Sequence, residues 1–213
     1  MFDLIADIRR DYRLKSLSET EAHNNAVSQF ETWWNEAVAS KIDEVNAMTL
    51  STSSCDGVPS ARIVLLKGFS EEGFVFFTNY SSYKGKQLEE NPRACLVFFW
   101  KELERQVRIT GLVSKVSAIQ SDDYFKTRPK GSRAGAIVSP QSQVIQSREW
   151  LEDAVTEVVN SADEKLIRPE HWGGYTVKPV TIEFWQGRSN RLHDRLQYTL
   201  ASNGTWKIER LAP

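Results

Sequence analysis

Short apolar segments separated by tight turns constrain the fold of this chain more than any other feature. Segments 47–53 and 59–69 flank Asp56-Gly57, and an Asp-Gly pair between alternating apolar residues is a strong hairpin signal. Further strands are predicted at 74–78, 107–113, 176–186, 195–201 and 206–211. Segment 94–100 is apolar throughout, so we expect a strand buried on both faces. Six or more such strands predict a β-barrel core within an α+β domain.

Helices are expected at the margins of this barrel. The first is short and covers about 2–11. The second is predicted from Ser18 to about residue 40, because Glu21 follows Ser18 at capping-box spacing. Its apolar stripe contains Ala22, Ala26, Phe30, Trp34 and Val38. Two more helices are predicted at 117–127, stopped by Arg128-Pro129, and at 147–161.

Composition narrows the class of protein. A chain of 213 residues favours a single domain, 1–213, and we divide it into an N-terminal lid segment (1–17), a helix (18–40), barrel strands (45–116 and 176–213) and a helical insertion (117–165). The net charge of −1 argues against nucleic acid or an anionic membrane as partner. Cys55 and Cys95 have no metal-ligand spacing, so no metal site is expected. Without a leader or an apolar run near ~18 residues, the expected compartment is the cytoplasm.

The segment 182–195 is the most informative for function. It begins as an aromatic strand, breaks at Gln186-Gly187, and then presents three arginines, a histidine and an aspartate. Aromatic rings offer a flat wall, guanidiniums bind phosphate or carboxylate, and an imidazole can handle a proton. A strand followed by a solvated charged loop is the competing interpretation. Taken alone, the segment leaves the two nearly equal.

Three other segments could bind an anion. In 62–67, period-two alternation places Arg62, Val64 and Leu66 on one face and Ile63, Leu65 and Lys67 on the other. Segment 77–86 carries hydroxyls and two lysines into a helix start, although a plain capped helix is favoured there. Segment 124–133 carries four cations beside an aromatic ring, which could bind a phosphate or form a basic patch for nucleic acid. The near-zero net charge argues against nucleic acid, and a simple solvated loop is the competing interpretation. Together they indicate a barrel that binds a flat, phosphorylated ligand, with the chemistry left open.

These segments resemble one known family. The run 182–187 followed by Arg191-Leu192-His193-Asp194-Arg195 is similar to the C-terminal signature of the pyridoxamine/pyridoxine 5'-phosphate oxidases. Further matches run in the family's order from 9–12 to 206–213 and include 62–67, Gln106, Tyr124, Arg128-Pro129 and Gln141-Ser142. The resemblance implies an FMN-binding split β-barrel of mostly antiparallel strands, forming a homodimer with FMN at the subunit interface. It also implies oxidation of pyridoxamine or pyridoxine 5'-phosphate by molecular oxygen, giving pyridoxal 5'-phosphate and hydrogen peroxide.

The resemblance also implies residue roles. The catalytic residues would be Arg191 and His193, which cover the pyridine ring. Substrate would be bound by these two and by Arg9, Arg10, Asp11, Tyr12, Lys67, Tyr124, Arg128, Ser132 and Leu192, with Arg9 and Tyr12 closing the site. FMN would be bound by Arg62, Ile63, Val64, Leu65, Leu66, Lys67, Phe77, Thr78, Lys84, Gln106, Gln141, Ser142, Trp185 and Arg195. Among these, Arg62, Lys84 and Ser142 would hold the FMN phosphate.

One position departs from the family pattern, and two rival functions remain. Tyr83 stands where many members carry arginine, which predicts somewhat weaker FMN affinity. One rival is a related FMN oxidase acting on a different ring, as in phenazine synthesis. Another is a non-catalytic flavin or pyridoxal-phosphate carrier on the same barrel. Whether His193 transfers a proton or only positions the ring is a hypothesis.

Overall fold

The chain folds into short strands joined by turns, with helices between some of them. A computed structural model describes residues 11–161 and 166–213, and in these the chain forms nine β-strands and five α-helices. The strands are β1 Ala47–Ser53, β2 Pro59–Leu65, β3 Gly68–Ser70, β4 Gly73–Asn79, β5 Arg93–Trp100, β6 Arg105–Lys115, β7 Trp172–Gln186, β8 Asp194–Leu200 and β9 Trp206–Arg210. The helices are α1 Ala26–Ala39, α2 Tyr83–Glu90, α3 Ala118–Thr127, α4 Lys130–Val138 and α5 Arg148–Ser161. The predicted helix at 2–11 falls almost wholly outside the described residues.

The nine strands belong to one sheet. Its order is β2-β1-β5-β6-β7-β4-β3, and β8 pairs with β7 while β9 pairs with β8. The pairs β3–β4, β4–β7, β7–β8 and β8–β9 are antiparallel. Gly57 takes the positive φ angle that the predicted hairpin turn requires, +85°, and Gly204 takes one of +82° in the turn between β8 and β9. The predicted α+β class with mostly antiparallel strands is confirmed.

Contacts between backbone positions divide the chain into two compact units. The first unit contains the residues up to Thr49, Cys95–Thr110 and Pro179–Pro213. The second unit contains Leu50–Ala94 and Gly111–Lys178. No helix in the described part of the chain is long and apolar enough to cross a membrane.

Helix α1 of the first unit begins later than predicted. It starts at Ala26, and the Asn25 side chain caps it by accepting from the backbone N–H groups of Val27 and Ser28. The expected start at Ser18 is wrong because the Glu21 carboxylate accepts from the Ser18 hydroxyl at 2.9 Å and makes a local turn. A capping box needs that carboxylate on the backbone N–H of residue 18.

The buried stripe of α1 is also displaced from the prediction. Ala26 and Phe30 are buried as expected, but Val38 is 49% exposed. The helix buries Trp33 and Ala37 instead, so the stripe advances by three and four residues rather than by four alone. Phe30 packs 5.3 Å from Phe98 of β5 between ring centres, which places these aromatics in the core of the first unit.

Two strand predictions need correction. The segment 59–69 is not one strand, because β2 ends at Leu65 and the Lys67 N–H bonds the Val75 carbonyl at 2.8 Å before β3 begins. Strand β5 is not buried on both faces. Leu96 and Phe98 are fully buried, whereas Phe99 is 55% exposed because the described residues leave its face uncovered.

The predicted basic loop at 124–133 is helical at both ends. Helix α3 ends at Thr127 as expected, and Arg128 is extended before Pro129. Helix α4 then starts at Lys130, directly after Pro129 with φ −53°. We did not expect α4, because Gly131 and Gly135 lower its helix propensity. Pro129 could have predicted this helix, because proline is favoured at helix starts.

Candidate active site

A cleft in the second unit gathers most of the predicted anion-binding residues. Its volume is about 500 Å³. The walls come from β2, β4, α2, α3 and the start of α4. The lining residues are Arg62, Ile63, Val64, Leu65, Lys67, Phe77, Thr78, Asn79, Lys84, Tyr124, Arg128, Pro129, Ser132, Gln141 and Trp172.

Arg62 is anchored at one end of this cleft by neutral acceptors. Its Nη1 donates to Thr52 Oγ1 at 2.6 Å and to the Leu50 carbonyl at 3.1 Å, while Nη2 donates to Ser60 Oγ at 2.6 Å. Thr52 and Ser60 in turn donate to Gln87 Oε1, each at 2.6 Å. This network holds the guanidinium without neutralising it. Thr52, Ser60 and Gln87 carry no distinguishing sequence signal, so sequence reasoning missed them.

Lys84 is the second cation of the cleft and is only 9% exposed. Its Nζ donates to Gln141 Oε1 at 3.0 Å, to Thr78 Oγ1 at 3.2 Å and to Ser82 Oγ at 3.3 Å. Burial, together with the nearby charge of Arg62, lowers the pKa of Lys84 to about 8. Among the described residues no carboxylate pairs with Arg62 or Lys84, so this end of the cleft favours an anion.

Aromatic rings form the wall beside these cations. Phe77 stacks on Tyr124 with ring centres 4.0 Å apart and planes 21° apart. Phe77 also stacks on Trp172, at 5.6 Å and 14°. Stacked rings with a polar rim offer a flat apolar surface.

Two further cations lie beside this wall. Lys67 Nζ is 5.9 Å from the centre of the Tyr124 ring, and Arg128 Cζ is 4.7 Å from that of Trp172. Burial lowers the pKa of Arg128, and the charge of Tyr124 opposes this shift. The Nη1 of Arg128 is buried and has no hydrogen-bond partner among the residues that the structure describes. A buried donor without an acceptor indicates a place for a ligand oxygen. The cleft therefore has cations in two places, Arg62 with Lys84 and Arg128 with Lys67.

The first unit holds a separate aromatic cluster at the end of β7. The Trp185 ring lies 4.6 Å from the His193 ring, and Tyr12 meets both rings edge-on, at 5.7 Å and 5.9 Å. A Cβ at Gly187 would come within 2.7 Å of Tyr12, so glycine is required there for this contact. Sequence reasoning treated Gly187 only as a strand break.

The hydrogen bonds of His193 fix its tautomer. The Arg188 N–H donates to His193 Nδ1 at 3.1 Å, so the neutral ring carries its proton on Nε2. Burial lowers the pKa of His193, and the charge of Arg191 lowers it further. Asn190 and Arg191 both have positive φ angles, 55° and 62°, and this turn presents an exposed Arg191.

Arg195 is held in place on β8. Its Nε donates to Glu183 Oε1 at 2.8 Å, and its Nη1 donates to the Ala212 carbonyl at 2.8 Å. Glu183 is 4% exposed and also pairs with Arg108 at 2.7 Å. The sequence assigned no role to Glu183, although a carboxylate within an aromatic strand could have indicated a buried ion pair.

The remaining predicted residues are placed as follows. Gln106 is half-buried in the first unit and Leu192 is 68% exposed. Ser142 is exposed with φ +71°, whereas Leu66 is 4% exposed and lies in the core rather than on the cleft. Asp11 pairs with Arg13. Arg9 and Arg10 lie outside the described residues. Within the described ranges no group of three or more His, Cys, Asp or Glu side chains is placed to hold a metal ion.

Comparison with known sequences gives full-length matches. The profile of the family described as "Pyridoxamine 5'-phosphate oxidase" matches residues 34–161. That of the "Pyridoxine 5'-phosphate oxidase C-terminal dimerisation region" matches residues 172–213. A pyridoxine/pyridoxamine 5'-phosphate oxidase from Nostoc punctiforme is 59% identical over 210 residues, 98% of each chain. One from Cupriavidus necator is 54% identical over 209 residues, covering 98% of this chain and 99% of the relative.

Solved structures agree with the sequence matches. The structure of PhzG from Burkholderia lata, in complex with tetrahydrophenazine-1-carboxylic acid, has a TM-score of 0.88 at 28% identity and covers 94% of this chain and 99% of its own. A pyridoxamine 5'-phosphate oxidase-related, FMN-binding protein from Nostoc punctiforme has a TM-score of 0.70 at 17% identity, covering 86% and 97%, and it supports the fold alone. The expected split β-barrel is thus confirmed, and the chain belongs to the pyridoxamine 5'-phosphate oxidase family.

Proposed function

We propose that this protein is a homodimeric, FMN-dependent oxidase of pyridoxamine and pyridoxine 5'-phosphate. One observation carries the proposal: a single cleft holds two sets of cations, Arg62 with Lys84 and Arg128 with Lys67, beside a wall of stacked rings. Two phosphorylated ring compounds need two phosphate sites and flat surfaces. The family match and the 59% identical relative support the same activity.

The residues around Arg62 and Lys84 fit a flavin phosphate. Both cations donate only to neutral groups in the described structure, and the pKa of Lys84 is lowered because no anion offsets its burial. A phosphate would accept from both and restore the charged lysine. Thr78 and Gln141, which already bond Lys84 or each other, would turn toward the ribityl chain and ring. Ser142 would add a donor at the phosphate.

The second set fits the substrate phosphate. The buried Nη1 of Arg128 has no acceptor in the described part of the chain, and Lys67 and Ser132 line the same cleft. The stack of Tyr124 on Phe77 holds the phenol at the rim, where its hydroxyl can donate to the same phosphate. Two fixed phosphates would hold two rings in register, and orientation of this kind supplies much of an enzymatic rate.

The first-unit cluster would cover the substrate ring. FMN, when bound, would accept a hydride from the substrate and pass the electrons to molecular oxygen. Trp185 and Arg195 would border the flavin, and Arg191 and Tyr12 would close over the pyridine. Because the Arg188 N–H occupies His193 Nδ1, the free Nε2–H is a donor, and this supports orientation rather than proton abstraction. His193→Asn should then raise KM but leave single-turnover flavin reduction within about threefold, a change of about 0.6 kcal/mol. A larger loss would favour the proton role.

A homodimer is supported by unpaired apolar surface and by the matched dimerisation region. In the first unit Phe99 and Val180 are 55% and 40% exposed. In the second unit Ile63 and Leu112 are 65% and 47% exposed. Large apolar side chains on sheet faces are typical of surfaces that a partner subunit covers. We place FMN at that interface by the family resemblance.

A phenazine-type oxidase is the main alternative, because PhzG shares the fold with a TM-score of 0.88. Its relation is more distant, at 28% identity against 59%. The set of Arg128, Lys67 and Ser132 argues against this alternative, since a ring without a phosphate would not need it. A flavin carrier would not need the turn that presents Arg191 and His193.

The proposal is tested by anaerobic reduction of the bound flavin. The purified protein, loaded with FMN, is mixed with pyridoxine 5'-phosphate without oxygen, and the flavin absorbance should bleach and return when air is admitted. Pyridoxine without phosphate is the control and should bleach it far more slowly. A protein that takes up no FMN, or bleaches equally with both compounds, would contradict the proposal.

A further inference from the structure

Glu104 is a buried carboxylate with an unusual set of partners. It follows the 3-10 helix Lys101–Leu103, has a φ of +54° and is 3% exposed. Within the described residues no cation pairs with it. Its Oε2 instead accepts from the backbone N–H groups of Arg13 at 2.9 Å and Leu14 at 3.1 Å. Burying a carboxylate without a cation costs free energy, and the two backbone N–H groups offset part of that cost.

The backbone of Glu104 bonds the end of β7. Its carbonyl accepts from the Gly187 N–H at 2.7 Å and from Gln186 Nε2 at 3.2 Å. Gly187 is also the residue whose missing Cβ leaves room for Tyr12. The side chain of Glu104 therefore contacts the segment beside Tyr12, and its backbone contacts the end of the strand that carries Trp185.

Residues 11–17, which we call the strap, have other attachments farther along. Arg188 Nη1 donates to the Lys15 carbonyl at 3.3 Å. The Leu17 N–H donates to Asp194 Oδ2 at 3.1 Å, and Arg210 Nη2 donates to the Leu17 carbonyl at 3.1 Å. These bonds hold residues 15 and 17. The two bonds to Glu104 hold residues 13 and 14, next to Tyr12.

We propose that Glu104 is a positioning residue of the oxidase reaction: it fixes the strap so that Tyr12 is held against His193 and Trp185. The inference rests on the proposed function, in which Tyr12 and His193 cover the substrate ring. The role assigned to Glu104 runs through the backbone of residues 13 and 14, whose N–H groups its carboxylate binds. Charge-assisted bonds from backbone amides suit this purpose, because they do not depend on the side chains of the strap.

The first test measures the strap directly. Trypsin is added to the FMN-loaded protein, and cleavage after Arg13 is followed by intact mass. Glu104→Gln keeps the size and an acceptor oxygen but loses the charge, and Glu104→Ala loses both. We expect cleavage to accelerate about tenfold in the glutamine variant. A hydrogen bond to a charged group is stronger than one to a neutral group by about 1.4 kcal/mol, which corresponds to a tenfold change in an equilibrium constant. Glu102→Gln, the same change at an exposed position two residues away, should cleave as the parent does.

The second test asks whether the effect passes through Tyr12. Glu104→Gln should raise the KM for pyridoxine 5'-phosphate about fivefold to tenfold, with kcat within about twofold, because a weaker hold on the strap weakens ground-state and transition-state binding alike. In a Tyr12→Ala background the same substitution should change KM by less than about twofold, since neither variant then has the ring to position.

The outcomes separate the two proposals. Faster cleavage with a KM effect that disappears in the Tyr12→Ala background supports the role of Glu104. Unchanged cleavage, or an equal KM effect with and without Tyr12, overturns it while leaving the oxidase intact. A parent protein that does not oxidise pyridoxine 5'-phosphate overturns the function as well. The glutamine variant decides these points even where the alanine variant fails to fold.

Discussion

FMN affinity should fall as the pH rises above about 8, because of Lys84. In the cofactor-free cleft, burial lowers the pKa of Lys84 from its ordinary 10.5 to about 8. A bound phosphate supplies the missing opposite charge and returns the pKa to its ordinary range. Above pH 8 the free protein has lost the proton that the complex holds, so binding must take one up.

The size of the effect follows from these two values. With a pKa of about 8 in the free protein and 10.5 in the complex, FMN should bind about 20-fold more weakly at about pH 9.5 than at about pH 7.5. That ratio corresponds to about 1.8 kcal/mol, at 1.36 kcal/mol per pKa unit. The sign is opposite for stability: a lowered folded pKa costs the cofactor-free protein stability below pH 8, and this cost fades as the pH approaches 10.5.

The assay is a fluorescence titration of cofactor-free protein with FMN across this pH range. Riboflavin carries the same ring without the phosphate, so it serves as the control for any titration of the ring itself. Lys84→Gln keeps a donor to Thr78 and Gln141 but cannot titrate, and its FMN affinity should be lower at pH 7.5 and nearly flat with pH. The reasoning is refuted by an FMN affinity that does not change between the two pH values, or by an equal slope in the glutamine variant.

Three further predictions concern single positions. Gly187→Ala should displace Tyr12, because the new Cβ would come within 2.7 Å of its ring, and should raise the KM for pyridoxine 5'-phosphate about tenfold with flavin content unchanged. Steady-state kinetics measures this, with Gly68→Ala, where a Cβ meets open space, as the control. Equal KM values for the two variants would contradict the prediction. Arg128→Met should raise the same KM by about 10- to 100-fold, the worth of a charge-assisted phosphate bond, and leave flavin uptake intact; a variant that instead loses flavin would place Arg128 at the cofactor. Tyr83→Arg adds a cation beside Arg62 and should tighten FMN binding a few-fold in the same fluorescence titration; unchanged or weaker binding would show that Tyr83 is no disadvantage.

The strands were predictable because their determinants are local. Alternation at 62–67 predicted two faces, and the face with Ile63, Leu65 and Lys67 is the exposed one. Asp56-Gly57 predicted a hairpin, and its glycine has φ +85°. The start of α1 was not predictable in the same way. The spacing of Ser18 and Glu21 predicted a capping box, but the Glu21 carboxylate accepts from the Ser18 hydroxyl, and the helix is capped by Asn25 instead.

The site was predictable where residues carry charge and follow a recognisable order. Arg62, Lys67, Lys84 and Arg128 do line one cleft. The residues that hold them were not predictable. Thr52, Ser60 and Gln87 come from three separate elements, and Glu104 lies about 90 residues from the amides it binds. These residues come together only in the tertiary structure, so no spacing along a single sequence predicts the contacts.

The turn at 188–192 has a consequence for the variety of sequences that this fold accepts. Two successive non-glycine residues with positive φ, Asn190 and Arg191, each cost about 1–2 kcal/mol. Asparagine tolerates this conformation, whereas β-branched residues do not. A library randomised at position 190 and selected for folding should therefore be enriched in asparagine, aspartate and glycine and depleted of β-branched residues. The backbone conformation thus restricts which residues can replace Asn190, although its side chain has no chemical role. The same conformation keeps the guanidinium of Arg191 exposed.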